Sequence, residues 1–222
     1  MILPMEADRW ITLCGGVHGE AAPFDEADRM AYLRTFPSTV IADVLEHAEP
    51  LSEPVTHRFP SSQRRHVEKL KRFPVGWVLL GDAVASFNPI YGQGMTAAAQ
   101  QANALGDCLA SARTIDAGFA RRYFKAAGKI VAVPWSIATG SDFAYPETTG
   151  KKPAGTDLVN HYMERVTVAA QHDDTVSLRF NEVVALVRRP ESLLAPRFVV
   201  RVLRAARRGP VAAATSCAAA PL

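Results

Sequence analysis

The stretch from Val75 to Ala112 most constrains what this chain can fold into. It reads VGWVLL, then GDAVASFNPIYGQGM, then an alanine-rich run. Val75–Leu80 is continuously apolar between Pro74 and Gly81. That predicts a strand buried on both faces, as in a sheet covered by helices. Thr96–Ala112 predicts a helix, with Ala98, Ala102, Leu105 and Leu109 on one stripe and many alanines allowing close packing. The segment between them has an order with physical meaning. Gly81 lets the chain leave the strand sharply. Asp82 then sits at the carboxyl end of a strand, where open α/β sheets bind ligands, and its carboxylate can accept from hydroxyls. Pro89 offers a rigid apolar wall for a flat ring. Gly92 and Gly94 remove side chains where the backbone must come close. Their amides, with those of Met95 and Thr96, point out of a helix N-terminus and favour a negative or electron-rich oxygen. A lone Gly-x-Gly marks only a tight turn. Gly-Asp also recurs at Gly106-Asp107, mid-helix, where no function is expected. The whole ordered set is what points to a ligand.

Elsewhere the pattern is simpler. Trp10–Cys14 predicts a short core-type strand, ended by Gly15-Gly16 and in need of neighbours. Asp25–Phe36 predicts an amphipathic helix with Met30, Leu33 and Phe36 inward, stopped by Pro37. Ser38 is the expected cap of a helix over Thr39–Ala48, with Val40, Ile41, Val44 and Leu45 as its apolar face. Pro54–Phe59 predicts another strand. Asp116 caps a helix through Lys129, and Pro134 is expected to start a new turn at its N1 position. Residues 143–155 form a loop. Thr156 or Asp157 opens a helix to about Ala170, Asp173-Asp174 cap one to about Arg188, and Arg197–Arg207 forms a shorter one. The Ala-rich residues 209–222 are expected to be disordered.

The chain has 222 residues, 48% hydrophobic and 21% charged, which suits one large globular domain or two small ones. A net charge of +3 does not imply nucleic acid. The basic excess is local: Arg188, Arg189, Arg197, Arg201, Arg204, Arg207 and Arg208 crowd the last part of the chain. A solvated helix face is the plain reading there, with a membrane surface or an acidic partner as the other. Cys14, Cys108 and Cys217 are an odd number without CxxC spacing, which suggests reduced thiols in a cytoplasmic protein. Cys14 and His18 lack a second pair at zinc spacing, so no metal site is expected. The N-terminus lacks a signal-peptide pattern, and no apolar run reaches membrane-spanning length. There is no GxSxG around Ser86. His57, Arg58, Arg64, Arg65 and His66 read as an exposed helix face, with contact to an acidic ligand as the alternative. Trp135, Tyr145 and Tyr162 fit either core or a substrate region.

GWVLLGDAVASFNPIYGQGMTAAAQQANALGDCLA resembles the second flavin-binding motif of the FAD-dependent monooxygenases of the para-hydroxybenzoate hydroxylase type. NPIYGQGMT is most similar to aromatic hydroxylase-like oxidoreductases and alkene epoxidases of actinobacterial secondary metabolism. The similarity extends over most of residues 10–205, including RWITLCGG and SSQRRHVEKL, but only the central motif is highly specific. The resemblance implies roles by position. Asp82 would bind the ribityl hydroxyls of FAD, with Gly81 clearing space, and Pro89 would lie against the isoalloxazine ring. Amides around Gly92, Gly94, Met95 and Thr96 would stabilise negative charge on the reduced flavin. Asn88 and Gln93 would shape the reaction chamber. In such enzymes NAD(P)H reduces the flavin, and a flavin hydroperoxide then hydroxylates or epoxidises a small organic substrate.

The family's opening GxGxxG unit, which holds the FAD pyrophosphate, has no counterpart here. Gly15-Gly16-Val17-His18-Gly19 has the wrong spacing, and Pro23 and acids follow it. The mid-chain Asp-Gly motif is also absent. The expectation is therefore an α/β, mixed α+β fragment: a truncated or split monooxygenase whose missing half sits on a separate chain or upstream segment. Residues 1–74 would be a partial substrate-domain sheet with helices, and 75–112 the FAD-binding strand, loop and helix. Residues 113–208 would be a helical region and 209–222 a tail. A non-catalytic remnant or interaction module, and a flavin-dependent prenyl-chain reductase, are the alternatives.

Overall fold

Residues 1–13 fold back on themselves. Strand β1 (Ile2–Met5) pairs antiparallel with β2 (Arg9–Thr12), in the register Ile2↔Thr12 to Met5↔Arg9. Leu13 N–H donates to the Met1 carbonyl at 2.9 Å and extends the ladder. Ala7 and Asp8 turn the hairpin with left-handed φ of 60° and 52°. The strand expected at Trp10–Cys14 thus has a local partner. It is not a core strand: every residue of β2 is exposed, Trp10 at 62%.

The computed structural model describes residues 1–211. They form two compact units, Met1–His57 with Val211, and Arg58–Pro210. This division falls after His57, not at residue 74. The expected disorder of residues 212–222 lies outside the described residues.

In the first unit, Asp25 caps α1 (Glu26–Arg34) by accepting from Asp28 N–H at 3.1 Å, and Leu33 is buried. Helix α2 (Val40–Leu45) is shorter than expected and starts from Thr39, not Ser38, without a side-chain cap bond. Ala42 is its buried residue while Val44 is exposed, so the inward face is rotated from the expected one. Arg34 pairs with Asp43 and Glu46 across the two helices.

The second unit is mostly helical. Its sheet is a two-residue antiparallel bridge, β3 (Gln63–Arg64) against β4 (Ala85–Ser86). Helices α3 (Gly94–Ala110), α4 (Ala117–Asp142), α5 (Thr156–Ala170), α6 (Asp174–Val184) and α7 (Pro196–Ala205) follow. The fold is therefore mixed and helix-rich, with two two-stranded antiparallel sheets among the described residues. Neither expected strand after residue 50 forms. Residues 54–59 have no regular structure, and 75–80 are extended or turned without a ladder partner. Val75 is 66% exposed, and Trp77 and Leu80 are also exposed. A run of apolar residues states a demand for burial, but a strand needs neighbours to satisfy its backbone.

Helix α4 runs 26 residues straight through Pro134. Asp116 caps it by accepting from Phe119 N–H at 2.8 Å. Proline inside a helix costs about 3 kcal/mol through its missing N–H and its ring. Here Pro134 is fully buried between Val131 and Ala138, which pack on Val84, Ala85, Phe87 and Ala97. Burial of that face offsets the lost bond, so the turn expected to restart at Pro134 is continuous helix. Earlier along α4, Tyr123, Phe124 and Ala127 pack with Val67 and Phe73. A third cluster joins Val166, Val176, Phe198 and Val202 from the last three helices with Leu193 from the 3-10 turn before α7. Tyr162 packs against it and donates to the Leu193 carbonyl at 2.7 Å, and Trp135 packs in the α3–α4 cluster. Both are half-buried against a core cluster, while Tyr145 is exposed. No helix among the described residues is long and apolar enough to cross a membrane.

Asp173 caps α6 with bonds from Thr175 and Val176 N–H at 3.0 and 3.1 Å, and Arg201 Nε donates to it at 2.7 Å. The Arg201 guanidinium and the two amides hold its carboxyl below the ordinary aspartate value against the opposing effect of burial. A depressed folded pKa contributes stability that is full above the unfolded value, about 3.9, and is lost as pH falls through the folded one. Between pH 6 and pH 3, the wild type should lose more stability than Asp173→Asn. Equal losses in urea unfolding would refute this assignment.

Candidate functional site

The loop from Gly81 to Gly94 is built of short turns. Gly81–Ala83 is one 3-10 turn and Pro89–Tyr91 another, with β4 between them. Asn88 accepts from Ile90 N–H at 3.1 Å and starts the second turn, with Pro89 at its first position. Gly92 closes it at φ 67°, ψ 14°, a left-handed conformation with nothing within 4 Å of where a Cβ would stand. Glycine is favoured there by conformation. Helix α3 begins two residues before the expected Thr96.

The loop splits into a face and a frame. Asp82, Pro89, Gly92 and Met95 are exposed, Met95 at 87%, and Thr96 and Gly94 are half-buried. A Cβ on Gly94 would stand 4.0 Å from Asp82 Oδ1, so the carboxylate lies beside the first turn of α3. The α3 N-cap is Gln93, whose side chain makes no cap bond. Ala97 N–H is bonded to the Gln93 carbonyl at 3.0 Å. The amides of Gly94, Met95 and Thr96 therefore have no intrahelical acceptor, and the positive end of the helix dipole is uncapped by its own N-cap side chain.

The frame holds this face from behind. Gly81 is buried at φ 61°, with its absent Cβ 3.4 Å from that of Ala98, so it seats the loop on α3 rather than clearing space for a ligand. Its N–H donates to Gln101 Oε1 at 3.2 Å, and Gln101 Nε2 donates to the Ala97 carbonyl at 3.1 Å. Gln93 is only 1% exposed and points inward, not into a chamber. Its Nε2 donates to the Val184 carbonyl at 3.0 Å, and Gln100 Nε2 donates to the Leu186 carbonyl at 3.1 Å. The two amides thus receive the carbonyl end of α6. Gln93 Oε1 is buried without a partner among the described residues. Tyr91 donates to Asp142 Oδ1 at 2.8 Å, and burial followed by that carboxylate raises its phenol above the ordinary range. Tyr123 donates to the Leu79 carbonyl at 2.8 Å.

The basic group before the loop is part of the frame as well. Arg64 lies on β3, not on an exposed helix, and donates to the Gly128 carbonyl at 3.1 Å while pairing with Glu68 at 3.4 Å. Burial raises the Glu68 carboxyl, but the His66 bond, its backbone bond and Arg64 outweigh that and hold it below its usual value. Arg65 reaches the Asp82 and Ala83 carbonyls at 3.4 and 3.5 Å. His57 and Arg58 are exposed.

Sequence reasoning missed Gln100, Gln101, Arg65, Tyr91 and Tyr123 as supports. The signal was the pair Gln100-Gln101 in an otherwise alanine-rich helix. The inward stripe is Ala97 and Gln101, one position off the expected Ala98 and Ala102. Among the described residues no cluster of His, Cys, Asp and Glu could hold a metal ion. Cys14 and Cys108 are free.

No family model matches the chain. The Mycobacterium tuberculosis protein named Protein Rv3254 is 34% identical over 164 residues, covering 70% of this chain and 34% of its own length. The chain thus spans about a third of the length of that relative.

Proposed function

We propose that this chain is the flavin-ring portion of an FAD-dependent monooxygenase-like oxidoreductase. The observation that carries the proposal is the Asp82 carboxylate beside the uncapped first turn of α3, with Pro89 exposed on the same loop. The donor set fits one end of a flavin. Asp82 can accept from ribityl hydroxyls. The amides of Gly94, Met95 and Thr96 can carry negative charge at the ring's electron-rich edge. Pro89 gives the ring an apolar wall. The frame residues orient these groups and need not touch the ligand. FAD, when bound and reduced by NAD(P)H, supplies the oxygen chemistry that hydroxylates or epoxidises a small organic substrate.

Nothing in this sequence matches the GxGxxG unit for the pyrophosphate. The proposal therefore includes a further segment or separate chain that carries the other half of the cofactor. The length of Protein Rv3254, about three times the matched region, is in keeping with that. The test is NAD(P)H oxidation by the chain assembled with a GxGxxG-bearing half. A monooxygenase consumes oxygen in step with NAD(P)H and transfers one oxygen atom to product. Turnover that proceeds equally without oxygen would replace this reading with a reductase.

A further inference from the structure

We propose that the cleft between the start of α6 and the outer face of α7 binds a phosphate-bearing ligand. The cleft has a volume of about 530 Å³ and is lined by Arg197, Arg201, Arg204, Arg208, Asp173 and His172. Helix α7 buries Phe198, Val202 and Ala205 on one side. Arg197, Arg201, Arg204 and, in the following 3-10 turn, Arg208 recur at spacings of four, three and four on the other. Such spacing puts all four guanidinium groups along one face.

Helix stability does not account for this row. Like charges three and four residues apart repel. Arg197 is at the second position of α7, where a cation opposes the helix dipole. Compensation within the chain is partial. Asp173 takes Arg201 through its Nε at 2.7 Å, and Arg208 donates to the His172 carbonyl at 3.5 Å. Arg197 and Arg204 have no carboxylate within ion-pair distance among the described residues. The Asp173 contact fixes the Arg201 fork and leaves its terminal N–H groups unengaged by that bond. His172 closes one wall through Nε2 to the Gly209 carbonyl at 2.7 Å. Planar forks converging on a cleft match the geometry of phosphate oxygens, and two unpaired cations call for at least two negative charges. The candidate flavin loop touches the opposite end of α6 at Val184, about 16 Å away along the helix axis at 1.5 Å per residue. The two sites are therefore separate, and this one does not rest on the flavin proposal.

The probes are inorganic pyrophosphate, followed by calorimetry at low salt, and phosphatidylglycerol vesicles, followed by sedimentation. Arg197→Gln with Arg204→Gln should weaken binding by about tenfold or more, the scale of losing charge-assisted bonds. Arg113→Gln with Arg189→Gln removes the same charge from exposed positions outside the cleft and should change binding by less than about twofold, as expected for screened surface charge. Circular dichroism of both doubles controls for folding, since all four arginines are exposed. Pyrophosphate binding that needs the cleft pair assigns a soluble phosphate ligand. Binding only to vesicles, again needing the cleft pair, assigns a lipid headgroup and supports the same site. No binding to either probe, or equal weakening by the two double variants, would overturn the proposal.

Discussion

Replacing Tyr123 with alanine should lower the free energy of unfolding by about 3–5 kcal/mol, the range for removing a large buried aromatic. The ring is fully buried, 5.2 Å from that of Phe124 and within the cluster that includes Val67 and Phe73. Its hydroxyl also holds the Leu79 carbonyl, two residues before Gly81. The substitution therefore leaves a cavity and a carbonyl without its donor. Tyr123→Phe keeps the ring and should cost only about 1 kcal/mol, the net worth of one hydrogen bond. Burial, followed by the neighbouring Cys108, pushes the Tyr123 phenol up to about 12. A raised folded pKa gives stability that is full below the unfolded value of about 10 and is lost as pH rises towards 12. Wild type should therefore weaken over that alkaline window more than Tyr123→Phe. Urea titrations at pH 7 and pH 10.5, the latter inside that window, read both effects. An alanine variant as stable as the phenylalanine one would show that the ring is not packed as described.

The second large effect is at Gln93. Gln93→Glu exchanges the Nε2 donor for an oxygen facing the Val184 carbonyl, at a position only 1% exposed. An ionised glutamate there faces an acceptor and has no cation within the frame bonds, so burial must raise its pKa. At pH 7 the variant should be destabilised by about 3 kcal/mol, as for an uncompensated buried charge. Protonation restores a donor. The glutamate contributes fully below its unfolded value, about 4.3, and the stability is lost as pH rises towards its raised folded value. The variant should thus approach wild type near pH 4 and fall away by pH 7. A deficit that does not change between those pH values would mean that Gln93 does not face the Val184 carbonyl.

What the sequence made legible was mostly local. Asp116 and Asp173 mark helix starts because a carboxylate three residues before an apolar period caps the same helix it precedes. The helix expected from Thr156 or Asp157 to about Ala170 forms over Thr156–Ala170. The strands of the second unit were opaque for the opposite reason. Val75–Leu80 has the composition of a buried strand, but pairing depends on distant neighbours, and among the described residues it has none. The pair that forms in the second unit, Gln63–Arg64 with Ala85–Ser86, is two residues long and carries no apolar pattern. Pro134 misled because its cost is local while the burial that offsets it is tertiary. The loop showed a similar division. The chemistry of Asp82, Pro89 and Gly92 can be read from residue type. The direction of Gln93 cannot, because it depends on the rotation of α3, which is set by contacts with Val184 and Gly81. Gln93 looked like a chamber residue and is a strut.

The central claim is that the Gly81–Thr96 loop recognises the ribityl and ring end of a flavin, and riboflavin tests it most directly. Riboflavin carries that end and lacks the pyrophosphate and adenosine. Titration of the chain against riboflavin fluorescence should give saturable quenching that ADP does not compete away. Asp82→Ala should weaken it by about tenfold or more, the loss expected for hydrogen bonds to a charged acceptor. Absence of riboflavin binding, or binding unchanged in Asp82→Ala, would contradict the assignment of this loop.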